Sequence, residues 1–175
     1  HDSDSIIDER TMREIYLPGF EAAVRKAHTG AIMDSYNLTN GEHMTQNSYL
    51  NTDVLRKDLG FKGINMSDWY ATYDSVAAAN GGLDLEMPTG KFMNAKNLLP
   101  AIKDGKVSEA TIDEKVRRIL MTAARFGWLD RPQVEPSLSV YDTKNQAIAL
   151  DAARLRVVEE HMLGDTTEVV EGFAQ

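Results

Sequence analysis

Residues 61–69 read Phe-Lys-Gly-Ile-Asn-Met-Ser-Asp-Trp, a short run that starts apolar and turns polar at its carboxyl end. This pattern is typical of a short strand buried on both faces of a parallel sheet, with its last residues opening onto a site. A similar run, Gly-Ala-Ile-Met-Asp-Ser-Tyr, occupies 30–36, and a third candidate, Leu-Asp-Leu-Glu-Met-Pro, occupies 83–88. The sequence therefore predicts three short strands, the last of which ends at Pro88.

Helical spacing fills the segments around these strands. Asp8 is placed to cap a first helix, which Pro18 is expected to interrupt before starting a second one. A polar loop is expected after the first strand, and the helix that follows it should end at Gly60. A short helix is expected at 75–79 and a last one at about 143–160.

A further long helix is predicted before the last one. Thr111-Ile112-Asp113-Glu114 has the form of a capping box, and Gly127 lies beyond the expected end. Its spacing predicts one buried apolar face, formed by Ile112, Val116, Ile119, Leu120 and Ala123.

Strands that alternate with helices predict an α/β fold of right-handed parallel units. Three parallel strands form either a small open sheet or a sector of a larger barrel of eight strands, and composition does not choose between them. Residues 131–139 hold two prolines and no period, which indicates a linker or a wrapping arm. We therefore expect one domain over 1–130, followed over 131–175 by this arm and a C-terminal helical tail.

Composition excludes several classes of protein. The 175 residues contain no cysteine, which removes disulfides, thiolate nucleophiles, iron–sulfur clusters and zinc fingers. With 19 basic and 27 acidic residues, the net charge of −8 argues against a nucleic-acid partner. No apolar run approaches the length of a membrane span, so no membrane partner is expected, and the first residues lack the features of a signal peptide. Phosphate-loop, dinucleotide, zinc-protease and calcium motifs are missing, so no cofactor or metal is expected.

Polar side chains gather where the three predicted strands end. The carboxyl ends of parallel strands meet at one edge of a sheet, where ligands bind in α/β folds. That edge collects carboxylates, hydroxyls and aromatic rings: Asp34, Ser35, Tyr36, Ser67, Asp68, Trp69, Asp84 and Glu86. Aromatic faces cover the apolar side of a sugar while carboxylates accept its hydroxyl hydrogens, so the edge favours a carbohydrate site.

Asp68 is the strongest candidate for a charged catalytic carboxylate. It follows a buried run, and Trp69 beside it offers a platform for a sugar ring. The alternative for Asp68 is a cap on the following loop or helix. Tyr36 is placed either to hydrogen-bond such a carboxylate or to pack at the rim, whereas a methionine such as Met33 is more often core filler.

The remaining titratable residues have simpler interpretations. Asp84 and Glu86 share one face of their predicted strand, and each is expected to pair with an arginine or a lysine. The histidines at positions 28, 43 and 161 show no metal-ligand spacing and are expected to be surface or satisfied residues.

Six motifs, taken together and in order, make the sequence resemble one enzyme family. They are Ile7-Asp8-Glu9-Arg10-Thr11-Met12-Arg13-Glu14-Ile15-Tyr16-Leu17-Pro18, Met33-Asp34-Ser35-Tyr36-Asn37, Asn40-Gly41, Gly60-Phe61-Lys62-Gly63, Met66-Ser67-Asp68-Trp69 and Gly81-Gly82-Leu83-Asp84-Leu85-Glu86-Met87-Pro88. The chain resembles the β-glucosidases of glycoside hydrolase family 3 over about residues 6–154, and it departs from their pattern after that point.

The resemblance implies that residues 1–130 are the C-terminal half of a (β/α)8 TIM-type catalytic domain, a partial barrel with about three parallel strands. Asp68 matches the family's nucleophile, which forms a covalent glycosyl-enzyme in a retaining mechanism. Tyr36, Trp69 and Met33 match residues that line the pocket for the terminal sugar. The substrate implied is a β-glucoside or an oligosaccharide with a terminal β-glucosyl residue.

The resemblance also implies an incomplete site. The family's other sugar-binding residues correspond to positions before His1, and its general acid/base comes from a second domain beyond Gln175. We therefore expect a fragment, split chain or truncated frame that is nearly inert alone and that associates with itself or with complementary barrel segments. A non-catalytic sugar-binding or assembly module is the alternative, and an inert remnant is a third. The compartment stays open, although family members are often periplasmic or secreted.

Overall fold

The computed structural model describes residues 3–132, 134 and 143–162, and the chain forms two compact units, His1–Arg131 and Pro132–Gln175. The described strands all lie in the first unit: β1 (Asp4–Ser5), β2 (Ala31–Asp34), β3 (Leu38–Thr39), β4 (Glu42–His43) and β5 (Ile64–Ser67). Its α-helices are α1 (Glu9–Thr11), α2 (Leu17–Arg25), α3 (Ser75–Asn80), α4 (Ala95–Lys103) and α5 (Glu109–Arg125). Two π-helices, Met12–Tyr16 and Tyr49–Asp58, and a short 3-10 helix, Met44–Gln46, complete it.

Two of the three predicted strands pair as expected. β2 and β5 are parallel and in register from Ala31 opposite Ile64 to Asp34 opposite Ser67. Among the described residues, β2 pairs with β5 alone. The polar ends of both strands therefore lie side by side, which is the arrangement that a parallel crossover requires.

The prediction of a full third strand at 83–88 is wrong. This segment contributes a single parallel bridge, between Leu85 and Met66. The backbone N–H of Asn65 donates to the Asp84 carboxylate at 2.9 Å, so a side chain occupies a position that a ladder carbonyl would take. The ladder ends after one bridge because a donor of β5 is already satisfied by that side chain.

A second small sheet replaces the polar loop expected after the first strand. β1 pairs in parallel with β3, and β3 turns back into β4 as a hairpin. The two residues between them, Asn40 and Gly41, have φ angles of 52° and 87°. Positive φ at both central positions is the condition of a tight hairpin turn, and Asn-Gly is the sequence that best supports it.

The N-terminal helical segment begins as predicted and continues where it was expected to break. The Asp8 carboxylate accepts the Thr11 N–H at 3.0 Å. Instead of an interruption at Pro18, the backbone passes through the π-helix Met12–Tyr16 directly into α2. Pro18 lies in the first turn of α2, where the missing N–H has no intrahelical partner to lose. Gly60, with a φ of 77°, follows the helix Tyr49–Asp58 as predicted.

The start and the buried face of α5 both differ from the prediction. Ser108, and not the box at Thr111, caps the helix, because its Oγ accepts the Thr111 N–H at 3.1 Å. Val116 and Leu120 were expected to be buried, yet they are 48% and 52% exposed. The inward stripe instead includes Lys115 and Thr122, which are buried, with half-buried Arg118 between them. This face is turned inward because Arg118 pairs with a buried carboxylate, that of Asp84.

Helix α4 was not predicted, since Pro100 lies inside it and its nine residues give little periodicity. Asn94 caps it through the Asn97 N–H at 3.0 Å. The short helix α3 and the last helix, α6 (Thr143–Met162), both lie where the sequence predicted them. Residues 133, 135–142 and 163–175, which include most of the predicted arm at 131–139, are outside the described residues.

Two apolar clusters hold the first unit together. One joins α2, the helix Tyr49–Asp58 and the segment before β5, through Val24, Leu55 and Phe61. The other joins α3, α4 and the turn before α5, through Ala79, Ala101 and Val107. The first cluster also packs against half-buried Ile32 of β2, so it holds this strand against the two helices beside it. None of the described helices has the length and apolarity needed to cross a membrane.

Candidate active site

Asp68 stands directly after β5, at the strand end that the sequence indicated. Its backbone N–H donates to the Asp34 carbonyl of β2 at 2.8 Å. Its carboxylate accepts the Trp69 N–H at 2.6 Å, and its carbonyl accepts the Ala71 N–H at 3.2 Å. The half-buried side chain is therefore held by the backbone on both sides. The contact with the N–H of the next residue is not a cap, since a capping side chain accepts an N–H two or three residues on, and it leaves carboxylate capacity for other donors.

Tyr36 is the side-chain partner of Asp68. Burial and a hydrogen bond with the Asp68 carboxylate raise the pKa of the Tyr36 phenol above its usual value. The backbone carbonyl of Tyr36 accepts the Tyr73 hydroxyl at 3.1 Å and lies 3.3 Å from Nδ1 of His43. The rings of His43 and Tyr73 stack at 3.8 Å between centroids. The phenol is thus aimed at Asp68 by a backbone that two further side chains hold.

Trp69 and Met33 are the most exposed of the predicted site residues, at 59% and 56%. Met33 lies opposite Met66 in the strand register, one step from the strand ends. It also lines a cavity of about 350 Å³ that extends along β2, α2 and the helix Tyr49–Asp58 and that does not include Asp68. The structure therefore brings Tyr36 and Trp69 to Asp68 directly, and it brings Met33 only to the same sheet edge.

The backbone after Trp69 is unusual. Tyr70 has a φ of 64°, which residues other than glycine seldom adopt, and its side chain is 64% exposed. Its N–H donates to the Met87 carbonyl at 2.9 Å, which ties the turn to the end of segment 83–88. The turn that presents Trp69 is thereby fixed from both ends.

Asp84 is held in a buried ion-pair cluster and is not available for chemistry. Its two carboxylate oxygens pair with Arg56 at 2.5 Å and with Arg118 at 2.9 Å, and its side chain is fully buried. The expected pairing of Asp84 with a basic residue is confirmed by these contacts.

Glu86 was also expected to pair with a basic residue, and the structure shows a different partner. Its carboxylate accepts the backbone N–H groups of Phe92 and Met93 at 2.9 and 2.6 Å. A carboxylate with such donors needs no cation. Glu86 therefore anchors the loop that leads into α4.

Asp34 is the remaining carboxylate at this strand end. It is 3% exposed, and its Oδ2 accepts Nδ2 of Asn51 and Nδ2 of Asn65, both at 3.0 Å. Burial raises the pKa of Asp34 to about 7, against the two amide hydrogen bonds and the nearby Arg56 charge, which lower it.

Taken together, the site offers one half-buried carboxylate, one phenol bonded to it and one exposed indole. Such a set suits a charged nucleophile or base beside a sugar platform. In the part of the chain that the structure describes, no group of three or more histidine or carboxylate side chains could hold a metal ion.

Several residues that shape the site had no signal in the sequence. Tyr73 reaches Tyr36 from the loop before α3 and His43 from strand β4, and only the tertiary fold brings the three residues together. Asn65 did carry a signal, because an amide within the apolar run of a buried strand requires a polar partner. That partner, Asp34, lies on the neighbouring strand.

Comparisons with known proteins show the family of the chain. The family model described as the glycosyl hydrolase family 3 N-terminal domain matches residues 3–122. A β-glucosidase of Rhizobium radiobacter is 45% identical over 127 residues, which cover 73% of this chain and 16% of that protein. The chain thus spans about a sixth of the length of that curated relative.

Solved structures give the same result. A family 3 β-glucosidase of Bifidobacterium adolescentis has a TM-score of 0.71 at 35% identity, over 82% of this chain and 21% of that one. β-Glucosidase 3B of Thermotoga neapolitana in complex with glucose has a TM-score of 0.65 at 41% identity, over 69% of this chain and 18% of that one. The chain belongs to glycosyl hydrolase family 3, and its match is to the N-terminal domain of that family.

Proposed function

We propose that this chain is part of a retaining β-glucosidase in which Asp68 is the catalytic nucleophile. The observation that carries the proposal is the Tyr36 phenol hydrogen-bonded to a half-buried Asp68 at the shared end of two parallel strands. A phenol that donates to a carboxylate stabilises its charged form, and the charged form is the one that attacks.

In the proposed reaction, a carboxylate oxygen of Asp68 forms a bond to the anomeric carbon of a terminal β-D-glucosyl residue. The bond from that carbon to the aglycone oxygen breaks, and this oxygen takes a proton from a general acid. Water then cleaves the glycosyl-enzyme ester and restores the carboxylate. Trp69 supplies an aromatic face for the sugar, and Tyr36 steadies Asp68 before and after the covalent step.

The general acid comes from outside the carboxylates that surround Asp68 at this strand end. Asp84 is neutralised by two arginines, and Glu86 is bound by backbone N–H groups. Asp34 faces the amides of Asn51 and Asn65. Each of these groups has its partners already, so we assign protonation of the leaving group to a segment outside the described residues.

Glucose is the sugar that the comparisons favour for this site. Relatives over most of this chain are named β-glucosidases, and one similar solved structure contains glucose. The relatives are much longer than this chain, so we also propose that it forms part of a (β/α)8-type barrel, in which the exposed Met33 lines a wall of the sugar pocket. The open edge of β2 in the described residues supports this proposal.

The test is a chimera in which this chain replaces the matching segment of the Rhizobium radiobacter enzyme. We expect hydrolysis of an aryl β-glucoside, and a 2-deoxy-2-fluoro-β-glucoside should add one fluoroglucosyl group that peptide mapping finds on Asp68. Asp68→Asn should lower turnover by about 1,000-fold or more and abolish labelling. Asp53→Asn, which changes an exposed carboxylate on the helix Tyr49–Asp58, is the matched control.

Two outcomes would overturn the assignment. Turnover of the Asp68→Asn chimera at the rate of the control would remove Asp68 as nucleophile. Glucose binding by calorimetry without labelling or turnover would identify the alternative, a sugar-binding module.

A further inference from the structure

Asp34 joins three elements through one buried carboxylate. The side chain belongs to the last residue of β2, Asn51 lies on the helix Tyr49–Asp58, and Asn65 lies in β5. Both amides donate to the same oxygen, Oδ2, at 3.0 Å. Asn51 Nδ2 also donates to the Met44 carbonyl at 2.7 Å, so its position is fixed independently of Asp34.

The backbone of Asp34 acts on Asp68. Its carbonyl accepts the Asp68 N–H at 2.8 Å, one step beyond the point where Asp34 lies opposite Ser67 in the register. The residue whose side chain is clamped by two amides is thus the residue that holds the peptide of Asp68. A movement of the Asp34 carboxylate can therefore reach Asp68 through the Asp34 backbone, whose carbonyl binds the Asp68 N–H.

Asn65 gives a second, independent observation. It is fully buried, and its side-chain oxygen Oδ1 has no hydrogen-bond partner among the described residues. Its side-chain amide donates to Asp34 Oδ2. Within the described part of the chain, the bond to Asp34 is the hydrogen bond that holds the Asn65 side-chain amide. The orientation of this amide therefore depends on the state of Asp34.

We propose that Asp34 is a positioning residue for Asp68, whose ionised carboxylate locks the ends of β2 and β5 together and whose protonation loosens that lock. The catalytic meaning of the inference rests on the proposed function, because it assumes that Asp68 is the nucleophile. The structural coupling between the two residues does not depend on that assumption.

The charges around Asp34 place its titration near neutral pH. Burial raises its pKa to about 7, and the Asp84 carboxylate adds to this effect. Arg56, on the helix Tyr49–Asp58, opposes it, and from α5 Arg118 and Lys115 face Asp84. An ionised Asp34 accepts both amides strongly, whereas the protonated acid is a weaker acceptor, so the lock is present above this pH and weakens below it.

The test follows the 175-residue chain by NMR between about pH 5 and pH 9, a range centred on the expected midpoint. The Asp34 carboxyl carbon, the side-chain amides of Asn51 and Asn65, and the backbone amide of Asp68 are monitored together. We expect all four signals to shift with one shared midpoint. In Asp34→Asn, which cannot titrate, the shift of the Asp68 amide should vanish, and in Asp53→Asn it should remain.

A flat Asp68 amide in the unmodified chain, while the Asp34 carboxyl titrates, would overturn the inference. This arm needs no variant, so a failure of Asp34→Asn to fold does not affect the decision. If Asp34 had only a structural role, its replacement would lower stability, but the Asp68 amide would not shift with the titration midpoint of Asp34.

The two proposals fail in different ways. If the chimera shows no label on Asp68 while the shared midpoint is present, the nucleophile assignment falls and the coupling stands. If Asp68 is labelled but its amide does not follow Asp34, the function stands and the positioning role falls. When both hold, Asp34→Asn in the chimera should remove the acidic limb of kcat near pH 7 and leave KM within about twofold.

Discussion

Lys115 is the residue at which burial and charge are in conflict. It is 4% exposed on α5, among the charges of Asp84, Arg118 and Arg56. Burial lowers its pKa to about 8, the Asp84 carboxylate opposes this change, and the two guanidinium groups add to it. The folded state therefore disfavours the ammonium form that the unfolded chain carries up to about pH 10.

This conflict predicts a gain in stability for Lys115→Met, which keeps the side-chain volume and removes the charge. Below about pH 8, Lys115 is charged in both states, and its buried ammonium lowers stability by the full amount. Between about pH 8 and 10.5, the unfolded chain binds more protons than the folded one. The stability of the natural chain therefore rises with pH in this window. We expect Lys115→Met to be more stable by about 1–3 kcal/mol at pH 7, with the difference shrinking through that window.

Urea unfolding of both chains at several pH values measures this effect. Lys103→Met, at an exposed position of α4, is the control and should change stability little. A gain that does not depend on pH would show that packing, and not the buried charge, explains it.

At the same scale, the sequence predicted the central residues of the candidate site but not the side chains around them. Asp68 and Tyr36 could be predicted because the ends of parallel strands meet, and because the motifs around them resemble those of a family. The contacts of Tyr73 and His43 with the Tyr36 carbonyl could not, since Tyr73 comes from a loop 37 residues away and His43 from strand β4, whose hairpin was not predicted. For Tyr36 the sequence left two roles open, a hydrogen bond to Asp68 or packing at the rim, and the structure has the hydrogen bond.

At the scale of elements, the Asp84 side chain connects β5 to two helices. It accepts the Asn65 N–H at the edge of β5, and it pairs with Arg56 from the helix Tyr49–Asp58 and Arg118 from α5. One carboxylate therefore joins the sheet to helices that no backbone ladder connects.

Replacing Asp84 should consequently loosen several elements at once. In Asp84→Ala, two arginines with side chains 10% and 26% exposed lose their counter-charge, and we expect a loss of roughly 3–5 kcal/mol. Asp104→Ala removes an exposed ion pair with Lys106 at 3.5 Å and should lose less than about 1 kcal/mol. Thermal or urea unfolding compares the two variants, and equal losses would contradict the role that we assign to the buried cluster.

Elements were predictable where local chemistry decides them. The cap at Asp8, the stop at Gly60 and the pattern of β5 each depend on a few neighbouring residues, and the structure has all three. The prediction of a third strand failed because the Asp84 carboxylate, from that same segment, accepts the Asn65 N–H of β5. The prediction of the buried face of α5 failed because the buried ion pair of Arg118 with Asp84 outweighs the apolar stripe. Hydrophobic periodicity does not detect such an ion pair. The hairpin at Asn40-Gly41 was a missed turn signal, since its dipeptide is sufficient to predict it.

At the scale of the molecule, the first unit presents apolar surface beside an open strand edge. β2 has one neighbour among the described strands, and the cavity of about 350 Å³ lies along it. Phe20 of α2 lines this cavity and is 48% exposed. An unpaired edge next to apolar side chains is a surface that favours association.

We therefore predict that the isolated chain self-associates through this region. In sedimentation velocity, its average mass should rise with concentration, and Phe20→Glu should weaken association by about tenfold, since a charge opposes burial of the cavity wall. Leu129→Glu places the same charge at a residue that is 63% exposed and does not line the cavity, so it should leave association unchanged. Equal effects of both substitutions would point to net charge as the cause. A monomer at all concentrations would mean that the open edge of β2 is protected within the chain itself.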